Sequence, residues 1–317
     1  MRIKKALKDW LILLLSKCVT PRIRDMLCDL PYFRIWEERG LHITPVHYYQ
    51  SAPDTRQLEN HPWAKLSDLP GLDMNVTGQL HNLEDFSSSF RSEYSNIRLE
   101  GHDGARNFFI NNGTFESVDC EAAYCFARRS QPARMIEVGG GNSTLILSMA
   151  LAENRKSPGT RTLYTVIEPF PGTQLKARAG TDYELLEKKL EEVPADYFSD
   201  LKENDILFID SSHVLKTGND VNRLYLEILP RLNKGVFVHI HDIFLPADYP
   251  RDVVMERHRF WTEQYLVQAF LAFNTSFRVE WGSSFLHHYY PEKLEAAFPS
   301  YKRSERRPGS LWLRKIL

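Results

Sequence analysis

From residue 134 onward, apolar positions change spacing in a repeating order. Short, mostly apolar runs at 134–138, the first interrupted by one acid, and at 162–167, 205–210 and 236–242 predict buried strands. Between them the spacing turns helical. Leu145, Ile146, Leu147, Met149, Ala150 and Leu151 follow a glycine turn, with Ser143 or Thr144 placed to cap their helix. Val221, Leu224, Tyr225, Ile228 and Leu229 fill 220–232. The segment 184–190 reads as a charged helix or helix end and 188–193 as a short strand. The segment 253–273 reads as one long helix through Trp261, Tyr265, Leu266 and Phe270. The runs 277–281 and 310–314 predict two final strands forming an antiparallel pair. Upstream, 76–95 predicts a surface helix. The loop 111–119 leads into a helix through Ala122, Tyr124, Cys125 and Phe126, with Ser117 or Asp119 as its cap, and is placed to fold over a ligand as a lid. Strands alternating with helices predict an α/β sheet, mostly parallel, with helices on both faces.

Composition narrows the partners. Lys and Arg total 40 against 41 Asp and Glu, a net charge of -1, so nothing demands nucleic acid. Four cysteines without metal spacing favour a reducing, cytoplasmic setting. Residues 1–28 are basic, then apolar from Trp10 to Leu15. That run is too short to span a membrane, and Asp9 spoils it as a signal peptide. A helix packing on the body or pairing two subunits is favoured over an interfacial membrane helix, with homo-oligomerisation and a membrane-peripheral location left open. The predicted division is an accessory, acceptor-side region 1–115 and a cofactor-binding domain 116–317.

Candidate chemistry gathers where the strands end. In such sheets ligands lie beyond the carboxyl ends of the strands. Gly139-Gly140-Gly141 follows the first strand and frees backbone for close approach. Glu137 precedes that turn, where a plain core strand prefers an aliphatic residue. Glu168 ends the second strand, about where a ribose-binding carboxylate belongs. Asp210 and Asp242 end the next two. His239 and His241 alternate onto one face of their strand, and His213 follows Asp210 closely. Tyr48, Tyr49 and Asp54 form an aromatic and acidic cluster suited to a sugar or polyol, the alternative being packing tyrosines and a turn.

These stretches together resemble the class I S-adenosylmethionine-dependent methyltransferases. Glu137-x-Gly139-x-Gly141 resembles their first motif, with Ser143 where a third glycine often lies. Tyr48-Tyr49-x-x-x-Pro53-Asp54, Asn112-Gly113-x-Phe115, Phe208-Ile209-Asp210-Ser211-Ser212-His213 and Val238-His239-Ile240-His241-Asp242-Ile243-Phe244 resemble a bacterial branch, Methyltransferase family 24. The resemblance implies a Rossmann-like seven-stranded sheet with an antiparallel last strand. It implies S-adenosylmethionine held by Glu137, Gly139, Gly141, Asn142, Ser143, Glu168, Asp210 and Ser211. In wider kin, acids at the ends of the fourth and fifth strands bind a divalent metal, which would assign Mg2+ to Asp210 and Asp242. The neighbouring histidines leave open that the acid orients a ring instead.

The expected activity is methyl transfer to a hydroxyl of a small molecule, sugar or glycan precursor. His241 and Asp242 rank first as catalytic groups, then His213 with Asp210. His287-His288 reads as a surface pair. A non-haem iron oxygenase using His213, His241 and Asp242 is one alternative. A protein that binds S-adenosylmethionine without catalysis is another. A nicotinamide-dependent oxidoreductase fits less well, because the glycine spacing departs from G-x-G-x-x-G.

Overall fold

A computed structural model describes residues 2–101 and 107–317, the side chains of residues 2–4 aside; Met1, which opens the basic N-terminal run, lies outside it. The chain forms two compact units, Met1–Pro62 and Trp63–Leu317.

The first unit holds helices α1 (Arg2–Cys18), α2 (Pro21–Leu27) and α3 (Phe33–Glu37). Thr20 caps α2 by accepting the Ile23 N–H at 3.3 Å, and Pro21 opens the helix where its missing N–H costs nothing. In α1 the apolar side chains from Trp10 to Leu15 stand exposed. Among the described residues no helix is long and apolar enough to cross a membrane.

The second unit is built on seven strands: β1 (Arg134–Val138), β2 (Leu163–Ile167), β3 (Glu184–Leu186), β4 (Ile206–Ile209), β5 (Phe237–Ile240), β6 (Phe277–Gly282) and β7 (Leu311–Lys315). Their order is β3-β2-β1-β4-β5-β7-β6. The first five pair in parallel, and β7 runs antiparallel to both β5 and β6. Period-two alternation divides the core. Met135, Tyr164, Val166, Ile206, Phe208 and Trp312 pack on one face, and Ile136, Val138, Ile167, Ile209, Val238 and Leu313 on the other.

Register positions the site. Val138 pairs with Ile167 and Ile209, and Ile209 pairs with Ile240. Four strands therefore end level. The ladder continues one residue further, through Gly139 N–H to the Ile167 carbonyl (2.9 Å), Asp210 N–H to Val138 (2.8 Å) and His241 N–H to Ile209 (2.9 Å). Gly139, Glu168, Asp210 and His241 thus stand side by side on one edge.

The helices of this unit are α4 (Val76–Tyr94), α5 (Asp119–Ser130), α6 (Asn142–Asn154), α7 (Thr173–Arg178), α8 (Asp220–Arg223), α9 (Arg251–Met255), α10 (Glu263–Leu271), α11 (Ser283–Tyr289) and α12 (Pro291–Ala297). Several differ from the sequence expectation. The single helix over 253–273 is two, α9 and α10. Between them Arg259 N–H donates to the Val253 carbonyl, and the Thr262 and Glu263 N–H groups donate to the His213 carbonyl, so the chain turns toward the site. The segment 184–190 begins with strand β3 rather than a helix, and 188–193 forms no strand. The edge position beside β2 decides this, with Thr165 opposite Glu184. The helical run after α8 widens to a π turn at Leu224–Ile228 and tightens to a 3₁₀ turn at Leu229–Arg231, where Pro230 has no N–H to give. Helix α4 is the helix expected over 76–95, with one face to solvent and the other buried. It buries Leu83, Phe86 and Tyr94, and Asn75 and Asn82 each donate from Nδ2 to β6 carbonyls of Val279 and Glu280 at 2.8 Å. The described residues of 63–115 belong to the larger compact unit.

Trp312, fully buried on β7, stacks on Phe126 of α5 with ring centroids 4.2 Å apart. Trp312→Ala is expected to destabilise this unit by about 3–5 kcal/mol, read by urea denaturation, from lost burial plus the cavity left behind.

Candidate active site

The glycine turn is shaped by contact from below. Gly139 has φ +86°, and a Cβ there would sit 1.8 Å from the Asp210 carbonyl oxygen, so only glycine fits. At Gly141 a Cβ would meet nothing within 4 Å, which leaves its backbone open to a ligand. Helix α6 starts directly after. Gly141 is the N-cap residue, and of the two expected caps Thr144 takes part from the first turn while Ser143 does not. Both hydroxyls donate into the strand, to Glu137 Oε1 (2.6 Å) and Oε2 (2.8 Å). Thr144 Oγ1 also accepts the Gly141 N–H at 3.0 Å.

Glu137 is fully buried and takes a third bond from the Tyr164 hydroxyl. Burial pushes its carboxyl up to about 7, against the pull of the three hydroxyls. Its expected role as a direct cofactor ligand is corrected here: its oxygens are enclosed, and it braces the turn. Glu168 faces the turn from β2. Its oxygens accept the N–H groups of Gly140 (3.2 Å) and Phe170 (2.7 Å). Asn142 donates from Nδ2 to Asn112 Oδ1 (3.1 Å) and Thr114 Oγ1 (2.8 Å), which ties the loop 111–116 to the start of α6. The residues expected to cap α5 serve otherwise. Ser117 bonds Ser300, and the buried Asp119 carboxylate accepts the Gly309 and Ser310 N–H groups at 2.8 and 3.0 Å.

Beside the turn lies a cavity of about 440 Å³, lined on its floor by Asp119, Asp210, His213, His241 and Asp242 and roofed partly by Gly113 and Thr114. His213 is its centre. Nε2 lies 3.2 Å from Asp210 Oδ1 and 3.5 Å from Asp242 Oδ2, while Nδ1 lies 2.9 Å from Glu263 Oε2. Burial works against charge on this ring, yet the bonds to Asp210 and Glu263 outweigh it and hold the pKa well above 6.5. Asp210 is correspondingly lowered: burial opposes, and His241 and His213 prevail. His213 and Asp242 both adopt left-handed backbone, φ 59° and 57°. Two such residues facing each other at strand ends mark a place where geometry is imposed.

His241 lies deeper, its ring 5.0 Å from Phe115, Nε2 3.9 Å from Asp242 Oδ1, and Nδ1 buried without a protein partner. Burial lowers its pKa, but Asp242, Asp210 and Asp119 raise it overall. His239 is a packing group. It stacks on Phe208 at 3.7 Å, bonds Ser310 at 2.9 Å, and burial holds it well below 6.5. His287 lies half-buried against Tyr301 (2.7 Å) rather than as part of an exposed surface pair.

Asp210 and Asp242 do not fit a magnesium ion. Both turn toward the His213 ring, where oxygen ligands would have to converge. Among the described residues, no group of three His, Cys, Asp or Glu side chains has metal-holding geometry. Tyr48 and Tyr49 stand exposed in the first unit, rings 4.0 Å apart. Asp54 is taken up by Arg56, at 2.8 and 2.7 Å, and caps the turn Thr55–Leu58, so its expected role toward a sugar hydroxyl is corrected to a structural one.

Glu263 escaped the sequence reading because it lies inside an apolar helical run. A fully buried acid accepting from Tyr225 (3.0 Å), from the more distant Ser211 hydroxyl (3.5 Å) and paired with His213 is the strongest polar feature of that helix. An acid within such a run was the available signal.

A level parallel edge with a glycine turn, an acid on the next strand and a buried acid–histidine cluster defines a nucleotide-type crevice on a Rossmann-like sheet. Residues 136–243 match the family model described as Methyltransferase domain. The chain is also 28% identical over 177 residues to an uncharacterised protein of Archaeoglobus fulgidus, covering 53% of this chain and 78% of that one. Among solved structures it is similar to the O-methyltransferase TomG of Streptomyces achromogenes in complex with SAM (16% identity, 74% of this chain, 90% of that one, TM-score 0.39). It is likewise similar to an O-methyltransferase of Bacillus cereus in complex with SAH (14%, 74%, 90%, TM-score 0.38).

Glu137→Gln is expected to keep the fold, since a neutral amide still meets the three hydroxyls. Glu137→Ala orphans them and should cost about 1–3 kcal/mol by chemical denaturation.

Proposed function

We propose that the chain is an S-adenosylmethionine-dependent O-methyltransferase in which His213 takes the proton of the acceptor hydroxyl. The observation that carries this reading is the convergence of three carboxylates on one histidine beside the open glycine turn. S-adenosylmethionine supplies a methyl group already activated on sulfur. The residues suited to hold it are Gly140, Gly141 and Asn142 at the start of α6, and Glu168, whose carboxylate borders the turn. The remaining task is alignment and proton removal. Alignment alone can supply roughly 7–11 kcal/mol, and a positioned base about 10²–10⁴-fold.

Glu263 holds Nδ1–H and so directs Nε2 toward the cavity. When the proton arrives at Nε2, the imidazolium forms between Asp210 and Asp242, which stabilise it as it appears. This ranks His213 ahead of His241. His241 adds charge to the floor and fixes Asp242. The acceptor is a small molecule with a free hydroxyl.

Two measurements test the reading. Calorimetry is expected to give binding of S-adenosylmethionine and S-adenosylhomocysteine and none of NAD, with Glu168→Ala weakening the first two about tenfold or more; binding of NAD alone would sink it. The pH profile of methyl transfer is expected to rise through the alkaline range, because neutral His213 is the active form and its pKa is raised. Glu263→Gln removes a charge that raises that pKa, so the rising limb should move to lower pH. In stability the sign is the converse. Protonated His213 contributes fully below its ordinary 6.5, and that contribution is lost as pH rises through its higher folded value.

A further inference from the structure

The wall of the cavity facing the acid–histidine floor is basic. Arg257, Arg259 and Arg307 all line it. All three are exposed at its mouth. Arg257 lies 3.3 Å from Asp252, and Arg307 reaches the same carboxylate, with its second contact at 3.2 Å. Two guanidinium groups therefore share one carboxylate. The acids lining this side have their own cations: Glu116 is bonded by Arg306 at 2.9 Å, and Glu305 lies 3.5 Å from Lys302. Arg259 pairs with no carboxylate among the described residues. Its guanidinium lies over the Trp261 ring, 5.4 Å from the centroid.

Trp261 joins the two ends. Its ring centroid is 4.8 Å from that of His213 and its edge is braced by Tyr249, 5.7 Å away. The ring is half-buried and lines the cavity, so one flat platform runs from the proton acceptor to the unpaired arginine. The segment that carries both residues is the break between α9 and α10, anchored to the His213 carbonyl through Thr262 and Glu263. The distance from base to cation is thus built into the fold.

Resting on the methyltransferase reading above, we infer that the acceptor carries an oxyanion, phosphate or carboxylate, at the end opposite its reacting hydroxyl. The hydroxyl lies at His213, the body of the molecule lies over Trp261, and the oxyanion is gripped by Arg259, with Arg257 and Arg307 adding charge. A guanidinium offers paired donors that match either oxyanion, and Arg259 needs to break no ion pair to do so. The acidic floor repels the same group, which fixes the orientation in which the acceptor enters.

Calorimetric titration of the full chain with pyrophosphate and, separately, malonate tests this, with and without S-adenosylhomocysteine. Wild type is expected to bind at least one of the two. Arg259→Ala should weaken that binding about tenfold or more, and Arg259→Lys should retain part of it. Raising the salt concentration should weaken it as well. Preference for pyrophosphate identifies a phosphorylated acceptor, and preference for malonate a carboxylated one. Absence of binding by wild type, or binding that Arg259→Ala leaves unchanged, overturns the inference. S-adenosylhomocysteine binding is read in the same series, so its loss would strike the methyltransferase reading separately. Arg259 is exposed, and both variants are expected to fold as wild type does.

Discussion

Parallel strands that end level place their next residues in a row, and that constraint governs the rest of this molecule. The ladder bonds of Gly139, Asp210 and His241 fix the row to the sheet before any side chain is considered. Parallel strands present their unpaired groups and their loops at the same edge, so chemistry collects there. The switch between β1 and β4 opens the crevice, and Gly139 lets β1 turn against the Asp210 carbonyl without a clash. A residue with a side chain at that one position would push β1 and β4 apart and take the row with them.

Charge at the edge is then arranged in two ways. Burial raises the pKa of Glu137, and hydroxyls enclose it, which makes it a brace. His213 is treated oppositely. Its burial disfavours charge, and the bonds to Asp210 and Glu263 overrule it. A buried acid without a partner would be costly, and Glu263 avoids this by accepting from His213, Tyr225 and Ser211. Removing His213 would therefore take one of three donors from Glu263, the first residue of α10, so the site and the start of that helix are coupled.

Much of this was legible in the chain. The four buried runs, the glycine turn and the acids ending each strand follow from spacing alone, and they place Gly139, Glu168, Asp210 and Asp242 together. What was not legible depended on tertiary contact. Strand β3 is short and polar enough to read as helix until β2 lies beside it. The apolar spacing across 253–273 continues through the break because Trp261 faces the cavity rather than the core, which periodicity does not distinguish. Asp54 has the composition of a sugar-binding acid, but Arg56 two residues on claims it. Asp119 has the composition of a cap, but the backbone of Gly309 and Ser310, far along the chain, claims it.

The break between α9 and α10 does more than interrupt a helix. A continuous helix over this segment would carry Trp261 and Arg259 on successive faces of one cylinder, and residues two apart on a helix do not share a side. Irregular backbone allows both to line one cavity, with Arg259 folded over the Trp261 ring. Anchoring of the segment by two N–H bonds to the His213 carbonyl couples the aromatic platform to the residue whose ring must be positioned. The left-handed backbone at His213 turns that carbonyl toward α10 while the ring remains against Asp210 and Asp242. One strained residue thereby joins the buried acid–histidine cluster to the aromatic wall of the same cavity.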